Sequence, residues 1–70
     1  MANIITNLKE RRKEKKISQQ ELAQLIGVRR ETIVHLENNR YNPSLEMALR
    51  IAEVFECSVE DLFQLNKEEA

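Results

Sequence analysis

The sequence predicts a small all-α domain of five helices. Ser18, Ser44 and Ser58 each precede a run of apolar residues at helical spacing, as expected of residues that cap the start of a helix. Ser18 and Ser58 are also followed three residues later by an acidic residue, which is the capping-box pattern. Seventy residues leave room for one domain, so residues 1–70 are predicted to fold as a single unit.

The first helix is predicted over residues 6–15. The spacing i, i+3, i+7 places Ile5, Leu8 and Arg12 on one face. An arginine on an apolar face needs a partner, or its stem must carry the guanidinium group out to water. The charged run K-E-R-R-K-E-K-K at residues 9–16 can be read as a nucleic-acid-binding tail, but its glutamates favour a solvated helix face.

Residues 18–38 are the centre of the prediction. A second helix that begins at Ser18 and ends at Gly27 would bury an apolar stripe of Leu22, Ala23, Leu25 and Ile26. A third helix over residues 29–38 would turn three residues inward, namely Thr32, Ile33 and Leu36. Two short helices joined by a tight turn at a glycine are the helix-turn-helix arrangement, whose second helix usually occupies the DNA major groove.

The outward face of the third helix is predicted to hold Glu31, Val34 and His35, with Arg30 at its flank. An arginine can donate two hydrogen bonds to guanine, a glutamate can accept from the cytosine amino group, and an apolar side chain suits a thymine methyl group. A histidine can donate or accept. These four residues are therefore candidates for reading bases. The alternative is an ordinary solvated face, which every amphipathic helix has.

Several segments occur in a recognisable order. They are I-S-Q-Q-E-L-A at 17–23, G-V at 27–28, T-I at 32–33, L-E-N at 36–38, Y-N-P-S-L at 41–45 and V-F-E-C-S-V-E-D-L-F at 54–63. Together they resemble the lambdoid phage repressor and Cro class, the XRE family of helix-turn-helix regulators, over roughly residues 4–65. The resemblance implies a five-helix DNA-binding domain that acts as a dimer.

The resemblance also implies roles for individual residues. Gln19 would contact phosphate, and Arg12 and Glu37 would form an ion pair between the first helix and the end of the third. Two positions depart from the family pattern. Asn39 replaces the usual Gly, which the turn tolerates because Asn adopts the left-handed conformation. Arg29 replaces the usual Ser or Thr cap, which can move the start of the third helix by one residue.

Further phosphate contacts are predicted at the ends of the third helix. Arg29, Asn38 and Arg40 lie there, close to the strand backbones if the helix occupies the groove. The charge distribution agrees, because residues 1–40 carry nine Lys or Arg against five Glu, whereas residues 41–70 carry two basic against seven acidic residues. The net charge of −1 thus conceals a basic half and an acidic half.

The remainder of the chain is predicted to form two helices, over residues 45–55 and from Ser58 onward. The fourth helix is expected to bury Leu45, Ala48, Ala52 and Phe55, widened by Met47, Ile51 and Val54. Residues 58–66 hold more apolar side chains than so short a tail needs, which predicts a homodimer interface of Val59, Leu62, Phe63 and Leu65. Phe63–Leu65 alternates in character as residues 3–6 do, so the chain ends can pair as a small β-ribbon.

Other classes of protein fit the sequence poorly. One His and one Cys make a metal cluster implausible, and one cysteine excludes an internal disulfide and suits a reducing cytoplasm. No apolar run reaches the ~18 residues that a membrane span requires. We therefore expect no enzyme activity, no cofactor and no membrane partner. The first hypothesis is a dimeric repressor of a pseudo-palindromic operator, and the second is a protein-binding module such as an antitoxin or a co-regulator.

Overall fold

A computed structural model describes residues 3–67 of the chain. Five helices and a two-stranded antiparallel sheet follow one another along it: β1 Ile4–Thr6, α1 Leu8–Lys15, α2 Gln19–Ile26, α3 Arg30–Glu37, α4 Leu45–Phe55, α5 Val59–Leu62 and β2 Phe63–Leu65. The predicted all-α fold with a terminal β-ribbon is confirmed.

The predicted serine caps begin three of the helices. The Ser18 hydroxyl accepts a hydrogen bond from the Glu21 N–H at 3.0 Å, and the Glu21 carboxylate accepts from the Ser18 N–H at 2.7 Å. Ser58 and Asp61 form the same reciprocal pair at the start of α5. Ser44 caps α4 by accepting from the N–H of its third residue. Each cap satisfies backbone donors that a helix start would otherwise leave unpaired.

The start of α1 differs from the prediction. Thr6 belongs to strand β1, and the helix begins at Leu8. The Thr6 hydroxyl accepts a hydrogen bond from the Leu8 N–H at 3.1 Å and donates one to the Leu62 carbonyl at 2.6 Å. Thr6 therefore ties the helix start to the end of α5, and Asn7 at the N-cap position makes no side-chain cap bond.

Four left-handed residues end helices or shape turns. Gly27 ends α2 at φ 76°, where a glycine carries no steric penalty. Asn39 follows α3 at φ 59°, as the sequence predicted. Lys16 and Glu56 end α1 and α4 in the same conformation, at φ 63° and 54°, although each carries a side chain.

The core is formed by apolar residues from all five helices and from β2. They are Leu8, Leu22, Ala23, Ile26, Ile33, Leu36, Met47, Ala48, Ile51, Ala52, Leu62 and Phe63. The predicted buried faces were wrong at three leucine or phenylalanine positions, because Leu25 and Leu45 are mostly exposed and Phe55 is only partly buried. Met47 and Ile51 turn inward instead, so the buried face of α4 is rotated from the predicted stripe.

The predicted dimer interface also needs correction. Leu62 and Phe63 are 1% and 8% exposed in the single chain, because they are part of its hydrophobic core. Their side chains therefore leave very little surface for a second subunit to contact. Val59 is partly buried against the core, and Leu65 is 62% exposed. Of the four predicted interface residues, Leu65 is therefore the one that presents most of its side chain to solvent.

Candidate nucleic-acid interface

Helix α3 is held against α2 by the turn between them. The Val28 N–H donates to the Ala23 carbonyl at 2.9 Å, so the turn closes on the last part of α2. The inward side of α3 places Ile33 and Leu36 in the core. Arg29 stands at the N-cap with an extended backbone and no side-chain cap bond, so α3 begins one residue later than predicted and the Arg29 side chain is left exposed.

The opposite side of α3 carries the predicted base-reading residues. Arg30, Glu31 and His35 are exposed, and they offer hydrogen-bond donors and acceptors along the helix. Val34 is half-buried, so less of its side chain faces outward than the sequence predicted. The arrangement is a polar helix face with one partly covered apolar residue, which matches what a major groove presents to a reading helix.

An ion pair fixes the C-terminal end of α3 to α1. The Arg12 Nε atom lies 2.7 Å from Glu37 Oε2, with side-chain exposures of 11% and 2%. The Arg12 Nη1 atom also donates to the Ile17 carbonyl at 3.0 Å, in the loop before α2. Arg12 and Glu37, which the resemblance paired, therefore join α1, the loop and α3 in one network. Low exposure makes such a pair costly to break.

Gln19 belongs to the same network. Its Nε2 atom donates to Glu37 Oε1 at 3.0 Å, so the first residue of α2 is connected to the last residue of α3. One amide hydrogen and the amide oxygen of Gln19 remain for another partner. The contact orients the side chain at the start of α2, where backbone N–H groups also favour an anion.

The network changes the charge that the face presents. Residues 29–40 contain Arg29, Arg30 and Arg40 against Glu31 and Glu37. Because Arg12 neutralises the buried Glu37, the exposed charges at α3 are three arginines and one glutamate. The face is positive although the protein as a whole is not, and this is the sign that attracts phosphate.

The segment after α3 is tied to strand β1. The Asn39 side-chain oxygen accepts from the Thr6 N–H at 3.1 Å, and the Asn42 side-chain oxygen accepts from the Ile4 N–H at 3.2 Å. Between them, the Arg40 N–H donates to the His35 carbonyl at 3.0 Å, which directs the chain back over the end of α3. Asn38 and Arg40 are exposed beside this turn.

Sequence reasoning missed the asparagine contacts and the Ile17 carbonyl. Asn39 was identified only by its conformation, and Asn42 only as part of the segment Y-N-P-S-L that resembles the family. The role of the Ile17 carbonyl cannot be predicted from residue type, because every residue has a backbone carbonyl. Two asparagines three residues apart after a helix are a usable signal, since their side chains can cap a neighbouring strand edge.

Among residues 3–67, no group of three or more His, Cys, Asp or Glu side chains is arranged to hold a metal ion. Within the same part of the chain, every helix is too short or too polar to cross a membrane.

Comparison with known proteins yields one family and several relatives. The profile of the helix-turn-helix family matches residues 8–62. An uncharacterized HTH-type transcriptional regulator of Archaeoglobus fulgidus is 52% identical over 64 residues, covering 91% of this chain and 90% of the relative. Another such regulator, from Methanothermobacter thermautotrophicus, is 46% identical over 66 residues, with 93% and 96% covered.

Two solved structures share the fold. A candidate DNA-binding protein from Bacteroides fragilis superposes with a TM-score of 0.78 at 26% identity, covering 87% of this chain and 98% of that one. The P22 c2 repressor, solved in complex with a synthetic operator, gives a TM-score of 0.73 at 30% identity, with 76% and 80% covered.

Proposed function

Because this chain belongs to the helix-turn-helix family of transcriptional regulators, we propose that it represses transcription as a homodimer on a pseudo-palindromic operator. The observation that carries the proposal is the exposed face of α3, where three arginines stand against one glutamate. Glu37, at the far end of the helix, is neutralised by Arg12 and adds no negative charge to that face. The P22 c2 repressor, which has this fold, was solved bound to operator DNA.

We propose that Arg30, Glu31, Val34 and His35 read base edges in the major groove. Arg30 lies in the first turn of α3, where recognition helices contact bases, and it would bind guanine through two hydrogen bonds. Glu31 would accept from a cytosine amino group, with the adjacent Arg30 offsetting its repulsion by phosphate. Val34 would contact a thymine methyl group with the part of its half-buried side chain that remains exposed.

The second set of residues would hold the phosphate backbone. Arg29 and Arg40 lie beyond the two ends of α3, and Asn38 is its C-cap. Gln19 lies at the N-terminus of α2, and its bond to Glu37 would pre-orient the amide for a phosphate oxygen. Contacts of this kind fix position and affinity without reading sequence.

Repression would follow from occupancy. The bound dimer itself would block or displace polymerase at the operator. Two recognition helices of a symmetric dimer reach half-sites separated by one DNA turn, ~34–36 Å.

Selection of bound duplexes from a random library tests the proposal. We expect an enriched sequence with two inverted half-sites about one helical turn apart, and tighter binding to it than to random duplex at moderate salt. A control protein carrying Arg30→Ala and His35→Ala should enrich no sequence. Equal affinity of the natural protein for all duplexes would reject the proposal and favour the second hypothesis, a protein-binding module such as an antitoxin or a co-regulator.

A further inference from the structure

The terminal ribbon has two outer edges, one on β1 and one on β2, and they differ in which backbone groups are hydrogen-bonded. The Asn66 N–H donates to the Asn3 carbonyl at 2.8 Å, and the Asn7 N–H donates to the Leu62 carbonyl at 3.3 Å. In an antiparallel pair, hydrogen-bonded positions alternate with positions whose backbone groups point away from the partner strand. With Ile5 opposite Gln64, those two residues form the hydrogen-bonded pair between the flanking ones.

Because of this alternation, the backbone N–H and carbonyl groups of four residues point towards the outer edges of the ribbon. On β1, the N–H groups of Ile4 and Thr6 point outward, and both are capped by the asparagine side chains of the segment after α3. On β2, the backbone groups of Phe63 and Leu65 point outward. The Phe63 N–H donates to the Val59 carbonyl, which ends α5.

The rest of the β2 edge is open. Within residues 3–67, the structure gives the Leu65 N–H, the Leu65 carbonyl and the Phe63 carbonyl no hydrogen-bond partner. The Leu65 side chain is also 62% exposed. An unpaired strand edge beside an exposed apolar side chain is a template for another strand. The outward N–H groups of β1 are therefore occupied by side chains, whereas the outward backbone groups at Leu65 of β2 are available.

We infer that the occupant of the β2 edge is β2 of a second copy, paired antiparallel about a two-fold axis at Leu65. This inference rests on the proposed homodimer and specifies its contact surface. In this register each Leu65 N–H donates to the Leu65 carbonyl of the other copy, and each Lys67 N–H donates to the Phe63 carbonyl of the other copy. The Phe63 N–H keeps its bond to Val59. The two ribbons join into one four-stranded sheet.

Charge favours the groove beside β2 over the groove beside Leu49 as the surface between two copies. The groove beside β2 is lined by Glu60, Phe63, Gln64, Leu65 and Lys67, so it holds one acid and one base. A two-fold axis can bring the Lys67 of each copy towards the Glu60 of the other. The groove beside the exposed Leu49 of α4 instead has three glutamates around it, Glu53, Glu56 and Glu60. Two copies docked there would place like charges together.

A proline substitution can remove the proposed contact at the β2 edge while it leaves the fold of the subunit unchanged. Leu65→Pro removes an outward N–H that makes no bond to any of residues 3–67, so the ribbon can remain intact. We expect this variant to weaken dimerisation about 10- to 100-fold, measured by sedimentation equilibrium, because two hydrogen bonds per dimer are lost. Leu49→Lys is the matched control, and its dimerisation should equal that of the natural protein.

Hydrogen exchange of the natural protein provides a second readout that needs no variant. The Leu65 amide should become protected as protein concentration rises through the dimerisation range, while exposed loop amides stay unchanged. If the natural protein is a dimer but Leu49→Lys dissociates it and Leu65→Pro does not, the β2 pairing is wrong and the proposed homodimer stands. If the natural protein is a monomer at high concentration, on DNA as well as free, the homodimer and the pairing are both rejected.

Discussion

At the scale of single residues, Arg12 has the largest structural effect expected of any side chain near the interface. It binds Glu37 and the Ile17 carbonyl from a position on the apolar side of α1. Its removal leaves the Glu37 carboxylate almost fully buried, with Gln19 as its remaining side-chain partner. The same pair keeps a negative charge away from the surface that is proposed to face phosphate.

Arg12→Ala is therefore expected to lower the free energy of unfolding by about 3–5 kcal/mol, the cost of an uncompensated buried charge. Lys13→Ala, an exposed neighbour on the same helix, should change it little. Urea unfolding of both variants makes the comparison. Adding Glu37→Gln to Arg12→Ala should recover part of the loss, and equal stability of the two single variants would contradict the importance of the pair.

Arg30 and Arg40 are expected to differ in what they recognise. Arg30→Ala should cost about 1–3 kcal/mol on the preferred operator and remove the preference at one base pair in each half-site. Arg40→Ala should weaken binding to every duplex alike, because a phosphate contact carries no sequence information. Both variants are to be titrated against single-base operator changes. A uniform loss for Arg30→Ala, or a changed base preference for Arg40→Ala, would reverse the assignment.

At the scale of helices and strands, the sequence predicted the existence and order of the elements well. Serine caps and Gly27 are local signals, because a helix end is decided by a few neighbouring backbone groups. The ion pair between Arg12 and Glu37 was predicted only from the family resemblance. Which apolar residues face inward was predicted less well, since that depends on where the neighbouring helices lie.

Leu45 and Leu62 illustrate the reason. Both fit an apolar pattern, yet Leu45 is exposed and Leu62 is buried. An apolar stripe wider than one helix face leaves the direction of burial open, and only tertiary packing selects it. The same reasoning explains why residues assigned to a dimer interface proved to be part of the core. Side-chain bonds to distant backbone groups, such as those of Asn39 and Asn42, depend on pairings 33 and 38 residues apart.

The end of α4 predicts a stabilising substitution. Glu56 adopts a left-handed conformation that costs a residue with a Cβ roughly 1 kcal/mol, and its charge opposes the helix dipole. Glu56→Gly should raise the free energy of unfolding by about 0.5–1 kcal/mol, measured by thermal and urea denaturation. Glu56→Ala separates the two causes, because it removes the charge but keeps the strain. A Glu56→Gly variant no more stable than Glu56→Ala would show that backbone conformation is not the cause.

The capping box of α5 predicts a pH effect. The Ser58 backbone N–H, the Ser58 hydroxyl and the nearby Arg11 charge hold the pKa of Asp61 below its ordinary value of 3.8. A carboxyl whose pKa is lowered by folding stabilises the folded state above its unfolded pKa, and that contribution is lost as pH falls through the folded pKa.

NMR titration of the Asp61 carboxyl carbon should therefore give a midpoint below 3.8 in the natural protein. Ser58→Ala should raise this midpoint, because one of the two bonds that favour the carboxylate is removed. Ser44→Ala serves as the control, because it removes the cap of a different helix, α4. An unchanged midpoint in Ser58→Ala would assign the lowered pKa to the backbone N–H and the Arg11 charge, without the hydroxyl.

At the scale of the whole molecule, the distribution of charge matters more than its total. The half of the chain that contains α1 to α3 is basic, and the half that contains α4 to β2 is acidic. Such polarity orients the protein as it approaches a duplex, since the positive side is attracted and the negative side is repelled. A protein with a net charge of −1 can therefore bind DNA with a steep dependence on salt.

The steepness can be predicted from the proposed contacts. In the proposed dimer, Arg29 and Arg40 of the two subunits would make four arginine–phosphate contacts, which corresponds to a slope of about −3 to −4 in log K against log salt concentration. Arg29→Ala should lower its magnitude by about two for the dimer, whereas Glu53→Gln on the acidic half should leave it unchanged. Fluorescence anisotropy at several salt concentrations measures the slope. A slope near zero would exclude phosphate contacts from these arginines.

The asparagine caps on β1 also limit how far strand addition can proceed. A ribbon with two open edges can recruit one copy after another, which is how cross-β fibrils grow. With Asn39 and Asn42 occupying the N–H groups of β1, the four-stranded sheet formed by two copies would have a capped strand at each end. Assembly would then stop at two, and the turn that follows the DNA-facing helix would also protect the protein against aggregation.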